Sequence, residues 1–148
     1  ERLNQLVRDL RGAHGGEAIE RGRETFGLLK ALRSGKSVAP LIHQDTKVKS
    51  VFVNFFGMPA STPIGVSVLA MKTGAAVIPS SLYLGDDNLQ HMVMEPPVAL
   101  VDTGNEDQDI LTNTQILSNC IEAIIRRNPA QWVWMHERWK TRPGEEIK

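Results

Sequence analysis

The sequence predicts an α/β fold, a mixed sheet flanked by helices, and three observations carry that expectation. Apolar residues recur at helical spacing in several separate segments. Short apolar runs rich in Val, Ile and Phe lie between them, bounded by Gly, Pro and Asn. The two kinds of segment alternate along the chain, the order from which helix-covered sheets are built. With 148 residues, 41% of them hydrophobic, there is enough apolar material for one core. No repeat, low-complexity tract or Gly/Ser/Pro linker divides the chain, so residues 1–148 read as a single domain.

In chain order, Leu3, Leu6, Val7 and Leu10 share one helical face that stops at Gly12 and Gly15-Gly16. A helix from about Glu17 to Arg33 follows, with Ile19, Phe26, Leu29 and Leu32 as its apolar side and Gly35 as the stop. Val38 to Ile42 reads as a buried strand, although Pro40 removes a ladder donor. Val51 to Phe56 is a second strand, closed by Gly57-Met58-Pro59. Thr62-Pro63 then offers an N-cap with proline at the first helical position, opening a helix through Val66, Leu69 and Ala70 to Gly74. Ala75 to Leu84 is a strand ending in the turn Gly85-Asp86-Asp87-Asn88, Leu89 to Met94 is its hairpin partner, and Val98 to Val101 adds a further strand. A helix from Asp109 to Arg127 carries the stripe Ile110, Leu117, Cys120, Ile121 and Ile124, with acids at its start and Arg126-Arg127 at its end to suit its dipole. Asn128-Pro129 breaks it. The tryptophan-rich segment after it predicts a last short helix, with Trp132, Met135 and Trp139 on one face and Trp134 with Arg138 on another.

Charge and cysteine content exclude several functions. Seventeen basic residues cancel seventeen acidic ones, against the positive excess expected of a nucleic-acid binder. Residues 1–36 are mildly basic, which suits an anionic surface and equally a solvated helix face. The single cysteine, Cys120, excludes an internal disulfide and a cysteine-based metal site, and reads as a small apolar side chain. No two histidines have metal-ligand spacing, so no metal and no cofactor is expected. No apolar run approaches the roughly 18–20 residues of a membrane span, and no stretch reads as a signal peptide. The chain opens on Glu1 inside a helical pattern and without an initiator Met, as a fragment of a larger domain would.

The polar loop after the first strand is the candidate site, because open α/β sheets bind ligands beyond their strand ends. It reads His43-Gln44-Asp45-Thr46-Lys47-Val48-Lys49. Lys47 and Lys49 suit a phosphate as mobile point charges. Gln44 and Asp45 suit a substrate hydroxyl, or hold a basic side chain in place. On residue types alone the loop reads equally well as merely solvated.

The C-terminal run Pro129-Ala130-Gln131-Trp132-Val133-Trp134-Met135-His136-Glu137-Arg138-Trp139-Lys140-Thr141-Arg142-Pro143 narrows the choice. It resembles the closing signature of the bacterial lipid A biosynthesis acyltransferases, Pro-x-Gln-Trp/Tyr-x-Trp-x-His-x-Arg-Trp/Phe-Lys-Thr-Arg-Pro. Upstream elements follow the same family order. They are Asn4 with Arg11 (or Arg8), His43-Gln44-Asp45 where the family commonly has Asp-Gln-Asp, Phe55-Phe56-Gly57, Leu69-Ala70, Thr73-Gly74-Ala75 and Val77-Ile78-Pro79. The similarity runs from about Asn4 to Pro143. The first residue of the Asp-Gln-Asp element departs, being His43 here.

This resemblance implies the distal part of a glycerol-phosphate-acyltransferase-like fold. It implies an enzyme that moves a fatty acyl chain from an acyl-carrier protein thioester to a hydroxyl of a phosphorylated glucosamine lipid, the lipid A precursor, at the cytoplasmic face of a bacterial inner membrane. Arg11, Gln44, Asp45, Lys47 and Lys49 are the implied substrate-binding residues. The family's general-base box, His-x4-Asp/Glu, is not within these residues: Ile19, Val48, Pro96 and Thr141 stand five positions after His14, His43, His91 and His136. The expectation is therefore a fragment without activity of its own. Competing readings are a non-catalytic lipid- or membrane-associated module and a related phospholipid acyltransferase. In the C-terminal segment, Trp132 and Trp139 are expected inside, with Trp134, Lys140 and Arg142 at a lipid headgroup boundary.

Overall fold

The computed structural model describes residues 2–13, 15, 16 and 25–144, except for the side chains of Asn4, Val7, Arg8, Arg11 and Thr25. His14 and the expected helix start at Glu17, with Ile19, lie outside the described residues. The chain divides into two compact units, residues 1–36 and 37–148. The first holds α1 (Arg2–Gly12) and α2 (Thr25–Arg33), as their apolar spacing requires. After α2, Lys36 closes the chain back on the helix, donating to the Ala31 carbonyl at 3.0 Å.

The second unit opens with an irregular stretch. Val38 to Ile42 is not a strand. Pro40 has no N–H to offer a ladder, and among the described residues no neighbouring strand pairs with this stretch. The first strand is β1 (Ser50–Phe55), as expected, and it folds back directly onto β2 (Met58–Pro63), in register from Ser50↔Pro63 to Phe55↔Met58. The turn between them places both Phe56 (φ 51°) and Gly57 (φ 81°) in the left-handed region, which matches the right-handed twist of a two-residue hairpin.

Thr62-Pro63 therefore ends a strand instead of starting a helix. Thr62 is 1% exposed and paired to Val51, and a proline at a strand end forfeits little. The helix α3 (Gly65–Thr73) begins two residues later without a side-chain cap and ends on Gly74, whose φ of 69° lets its N–H return to the Ala70 carbonyl.

The second hairpin, β3 (Ser80–Leu84) and β4 (Gln90–Met94), has the expected partners and turn, with register Ser80↔Met94 to Leu84↔Gln90. β3 is shorter than the apolar run Ala75–Leu84. Beyond it the two chains stay bonded at Glu95 N–H to the Pro79 carbonyl and Val98 N–H to the Val77 carbonyl, both 2.9 Å. Pro96-Pro97 interrupt the ladder because neither has a donor. Val98–Val101 is likewise not a strand: the Val101 N–H and carbonyl both go to the Asn113 side chain, at 2.7 and 2.9 Å.

Helix and strand content is thus mixed α/β, but among the described residues two separate two-stranded antiparallel hairpins stand in place of the expected single mixed sheet. The long helix α4 (Glu106–Arg127), capped by Asn105, packs on β1 and α3. Its buried face is half polar: Asp109, Asn113, Thr114 and Ser118 alternate with Ile110, Leu117 and Ile125. Each buried polar group is matched. Asp109 accepts from the Thr103 N–H and hydroxyl at 2.8 and 2.7 Å, and the Thr114 and Ser67 hydroxyls meet at 2.9 Å between α4 and α3. Gln115 brackets Asn54 on the free edge of β1, accepting its N–H at 2.7 Å and donating to its carbonyl at 2.9 Å. Side chains of α4 thereby occupy backbone groups that a third strand would otherwise take. Phe55, Ala60 and Ile125 form the core between hairpin and helix, with Phe56, Ile121, Trp132 and Trp139 packed around it.

Candidate functional site

The loop His43–Lys49 leads into β1, and its anchor comes from the far end of the sequence. Asp45 accepts from the Thr141 N–H at 2.7 Å and from the Thr141 hydroxyl at 3.0 Å, so both carboxylate oxygens are engaged. Gln44 Nε2 lies 3.4 Å from His136 Nε2. The His43 ring meets Trp132 edge-on with centroids 6.5 Å apart. Three consecutive loop residues thus touch three residues of the C-terminal segment.

That segment is held by Arg138. Only 1% exposed, it donates from its two terminal nitrogens to the Ser61 carbonyl and the Thr62 hydroxyl of β2. Its guanidinium also lies over the Phe55 ring, 5.0 Å from the centroid. Burial lowers the Arg138 pKa to about 10, and the Asp45 charge acts in the opposite direction. Burial also lowers the pKa of His43, helped by the nearby His136 and Arg138 charges. Ile42, His43, Phe55, Thr62, Ser118, Ile121 and Arg138 line a recess with room for about one water molecule. Among the described residues the Arg138 Nε has no hydrogen-bond partner, which suits a bridging water there.

Residues 132–142 are not the expected helix. One 3-10 turn, Pro129–Gln131, is followed by successive turns. Asn128-Pro129 ends α4, and Gln131 bonds both backbone groups of Leu84, at 2.7 and 2.8 Å, which pulls the chain onto the second hairpin. Without helical periodicity the expected faces change. Trp132 and Trp139 are partly buried against Phe55, with ring centroids 5.9 and 5.8 Å away, as expected. Met135, expected beside them, is 88% exposed, while Arg138, expected with Trp134, is the largest fully buried side chain among the described residues. Trp134 is 51% exposed, with its Nε1–H donated to the Pro129 carbonyl and its ring against Trp132 and Phe56. Lys140 is exposed and pairs with Glu137 at 3.0 Å, and Arg142 is exposed.

Of the sequence-expected site residues, the structure brings Gln44 and Asp45 together with the C-terminal segment. Lys47 and Lys49 project as exposed side chains at the entrance to β1, where the Lys49 carbonyl accepts from the Ile64 N–H at 3.2 Å. Arg11 belongs to α1, and its side chain lies outside the described residues. The roles of Arg138 and Thr141 are not legible in the sequence, because helical spacing assigns faces to a segment that folds as successive turns. The signal available was the polar character of two short motifs, His43-Gln44-Asp45 and Lys140-Thr141-Arg142, far apart in the chain. Among the described residues, no three His, Cys, Asp or Glu side chains converge as a metal site.

The clasped loop, the C-terminal tryptophan segment and the hairpin they pack on all fall in the part of the chain that matches known acyltransferases. Residues 1–141 match the family described as bacterial lipid A biosynthesis acyltransferase, and the chain belongs to that family. It is similar to the lipid A biosynthesis lauroyltransferase of Escherichia coli K12, 32% identical over 125 residues, covering 82% of this chain and 39% of that protein. A lipid A biosynthesis acyltransferase of Haemophilus influenzae is 30% identical over 129 residues, covering 84% and 40%. A phosphatidylinositol mannoside acyltransferase of Mycobacterium tuberculosis is 29% identical over 143 residues, covering 94% and 43%. The chain therefore spans about two-fifths of the length of these relatives. No helix among the described residues is long and apolar enough to cross a membrane.

Proposed function

We propose that this chain is the distal part of a glycerol-phosphate-acyltransferase-like domain, both compact units included, in an enzyme of lipid A biosynthesis. That enzyme transfers a fatty acyl chain from an acyl-carrier protein thioester to a hydroxyl of a phosphorylated glucosamine lipid at the cytoplasmic face of the bacterial inner membrane. The family match over residues 1–141 supports this most strongly. In this reading Lys47 and Lys49 meet the acceptor's phosphate and Gln44 a neighbouring hydroxyl, while Asp45 is held by Thr141. Two exposed ammonium groups suit a mobile anionic headgroup, since each can follow it. Exposed Val133, Trp134 and Met135, followed by Lys140 and Arg142, suit the boundary of an anionic bilayer.

None of the four histidines has an acid five positions on, so the 148 residues alone do not take the proton from an acceptor hydroxyl by that device. The test compares the longer protein with this chain, each given acyl-carrier thioester and lipid A precursor. Transfer by the longer protein and background from the chain is the expected outcome. Saturable turnover by the chain alone, lost on replacing one of its histidines, overturns the inactivity. Absence of transfer by the longer protein overturns the acceptor assignment. A second reading, a related phospholipid acyltransferase, is favoured by the coverage of 94% against the phosphatidylinositol mannoside relative. Offering that lipid as the competing acceptor decides between the two.

A further inference from the structure

We propose that the segment Trp132–Thr141 is a clasp that sets the binding geometry of the loop His43–Lys49, with Asp45 and Thr141 as positioning residues that do not contact substrate. The loop has no regular structure of its own, and an irregular segment keeps one conformation only where other groups over-determine it. At residues 43–45 such groups come from the C-terminal segment. Thr141 bonds both oxygens of Asp45, His136 approaches Gln44, and Trp132 abuts His43.

The clasp is itself fixed to the hairpin. Arg138, three residues before Thr141, bonds Ser61 and Thr62 and covers Phe55, while Trp139 packs on the same ring. A buried, charged anchor is directional where an apolar one is not, so it fixes where Thr141 sits as well as that it is buried. The chain of contacts runs from β2 through Arg138 and Thr141 to Asp45, and two residues further along the loop is Lys47. This explains why the polar residues of the C-terminal signature sit in a segment that is not a helix: their partners are the loop and the hairpin.

The inference rests on the reading of this loop as the acceptor site, and the experiment separates the two. In the longer enzyme, Thr141→Val keeps the backbone bond to Asp45 and removes the hydroxyl bond. Amide exchange at Val48, whose N–H closes the loop on the Thr46 carbonyl, and at residue 141, whose N–H stays on Asp45, should speed by about tenfold, the size of one lost hydrogen bond to a charged group. KM for the acceptor should rise by a similar factor with kcat little changed, and Thr141→Ser should restore both. Combined with Lys47→Ala, the two losses should fall short of multiplying, because both act on one binding geometry. Asp45→Asn, which also keeps the fold's packing, should move all readouts in the same direction.

Unchanged exchange in the loop overturns the clasp, as does a loss confined to kcat or fully multiplicative effects. If exchange accelerates while Lys47→Ala leaves KM untouched, the clasp stands and the assignment of the acceptor site falls.

Discussion

Asp45 and Thr141 stand 96 positions apart in sequence and share two hydrogen bonds, the Thr141 N–H on one carboxylate oxygen and its hydroxyl on the other. The carboxylate closes a long loop of chain, and it does so beside a buried arginine whose charge it opposes. A charge-assisted bond of that kind, half-shielded from water, is among the stronger polar contacts available to a small domain.

Asp45→Ala should therefore lower stability by about 2–3 kcal/mol, the loss expected for stranding two partly buried donors. Chemical denaturation of the chain measures it. A midpoint equal to the parent's would show that the Thr141 bonds do not survive in solution.

Arg138→Ala should be more severe, at about 3–5 kcal/mol, because it opens a cavity over Phe55 and leaves the Ser61 carbonyl and Thr62 hydroxyl short of a partner. Arg138→Met fills the space and should recover part of that. Thermal unfolding of the pair separates packing from polar loss. Equal melting temperatures for both variants and the parent would remove Arg138 from the account.

His43 gives the stability a sign in pH. Its folded pKa lies below the ordinary 6.5, owing first to burial and then to His136 and Arg138. The unfolded chain thus binds more protons just below pH 6.5, so stability is present above that value and is lost as pH falls toward the lowered folded pKa. His43→Gln should flatten this part of the pH–stability curve. An unaltered slope would place His43 in water.

The three indoles should separate by environment. In single-tryptophan variants, a neutral quencher should reach Trp134 most readily, and Trp132 and Trp139 less, since both pack on Phe55. Trp134→Ala with Met135→Ser should leave folding intact and weaken binding to anionic vesicles, more visibly at low salt. Equal quenching of all three indoles would contradict the packing described here.

How much of this was legible in the sequence follows a physical line. Both hairpin partners at the Gly85–Asn88 turn, the strand at Val51–Phe56, and the long helix to Arg127 were visible, because local periodicity and turn chemistry decide them. Thr62-Pro63 misled, since its capping chemistry is genuine but was overridden by pairing with Val51 and Ser50. The apolar run Val38–Ile42 misled for the opposite reason: a strand needs a neighbour, and its sequence cannot show that none pairs with it among the described residues. The tryptophan segment was recognisable as a motif while its shape was not. Its conformation follows from Gln131 on Leu84, Arg138 on Thr62 and Thr141 on Asp45, all contacts with distant residues. Residue types alone left the loop Gln44–Lys49 open between a site and a solvated turn, the resemblance made it the candidate, and what remained hidden was that Asp45 already has a partner.

The central claim is that this loop receives the phosphate of the acceptor in acyl transfer. The most direct measurement is the acceptor's kcat/KM for the longer enzyme and its Lys47→Ala/Lys49→Ala variant, with phosphorylated and dephosphorylated acceptor. The account predicts that the variant loses at least about tenfold on the phosphorylated acceptor, mostly in KM, and almost nothing on the dephosphorylated one. An equal effect on both acceptors, or none on either, would contradict it.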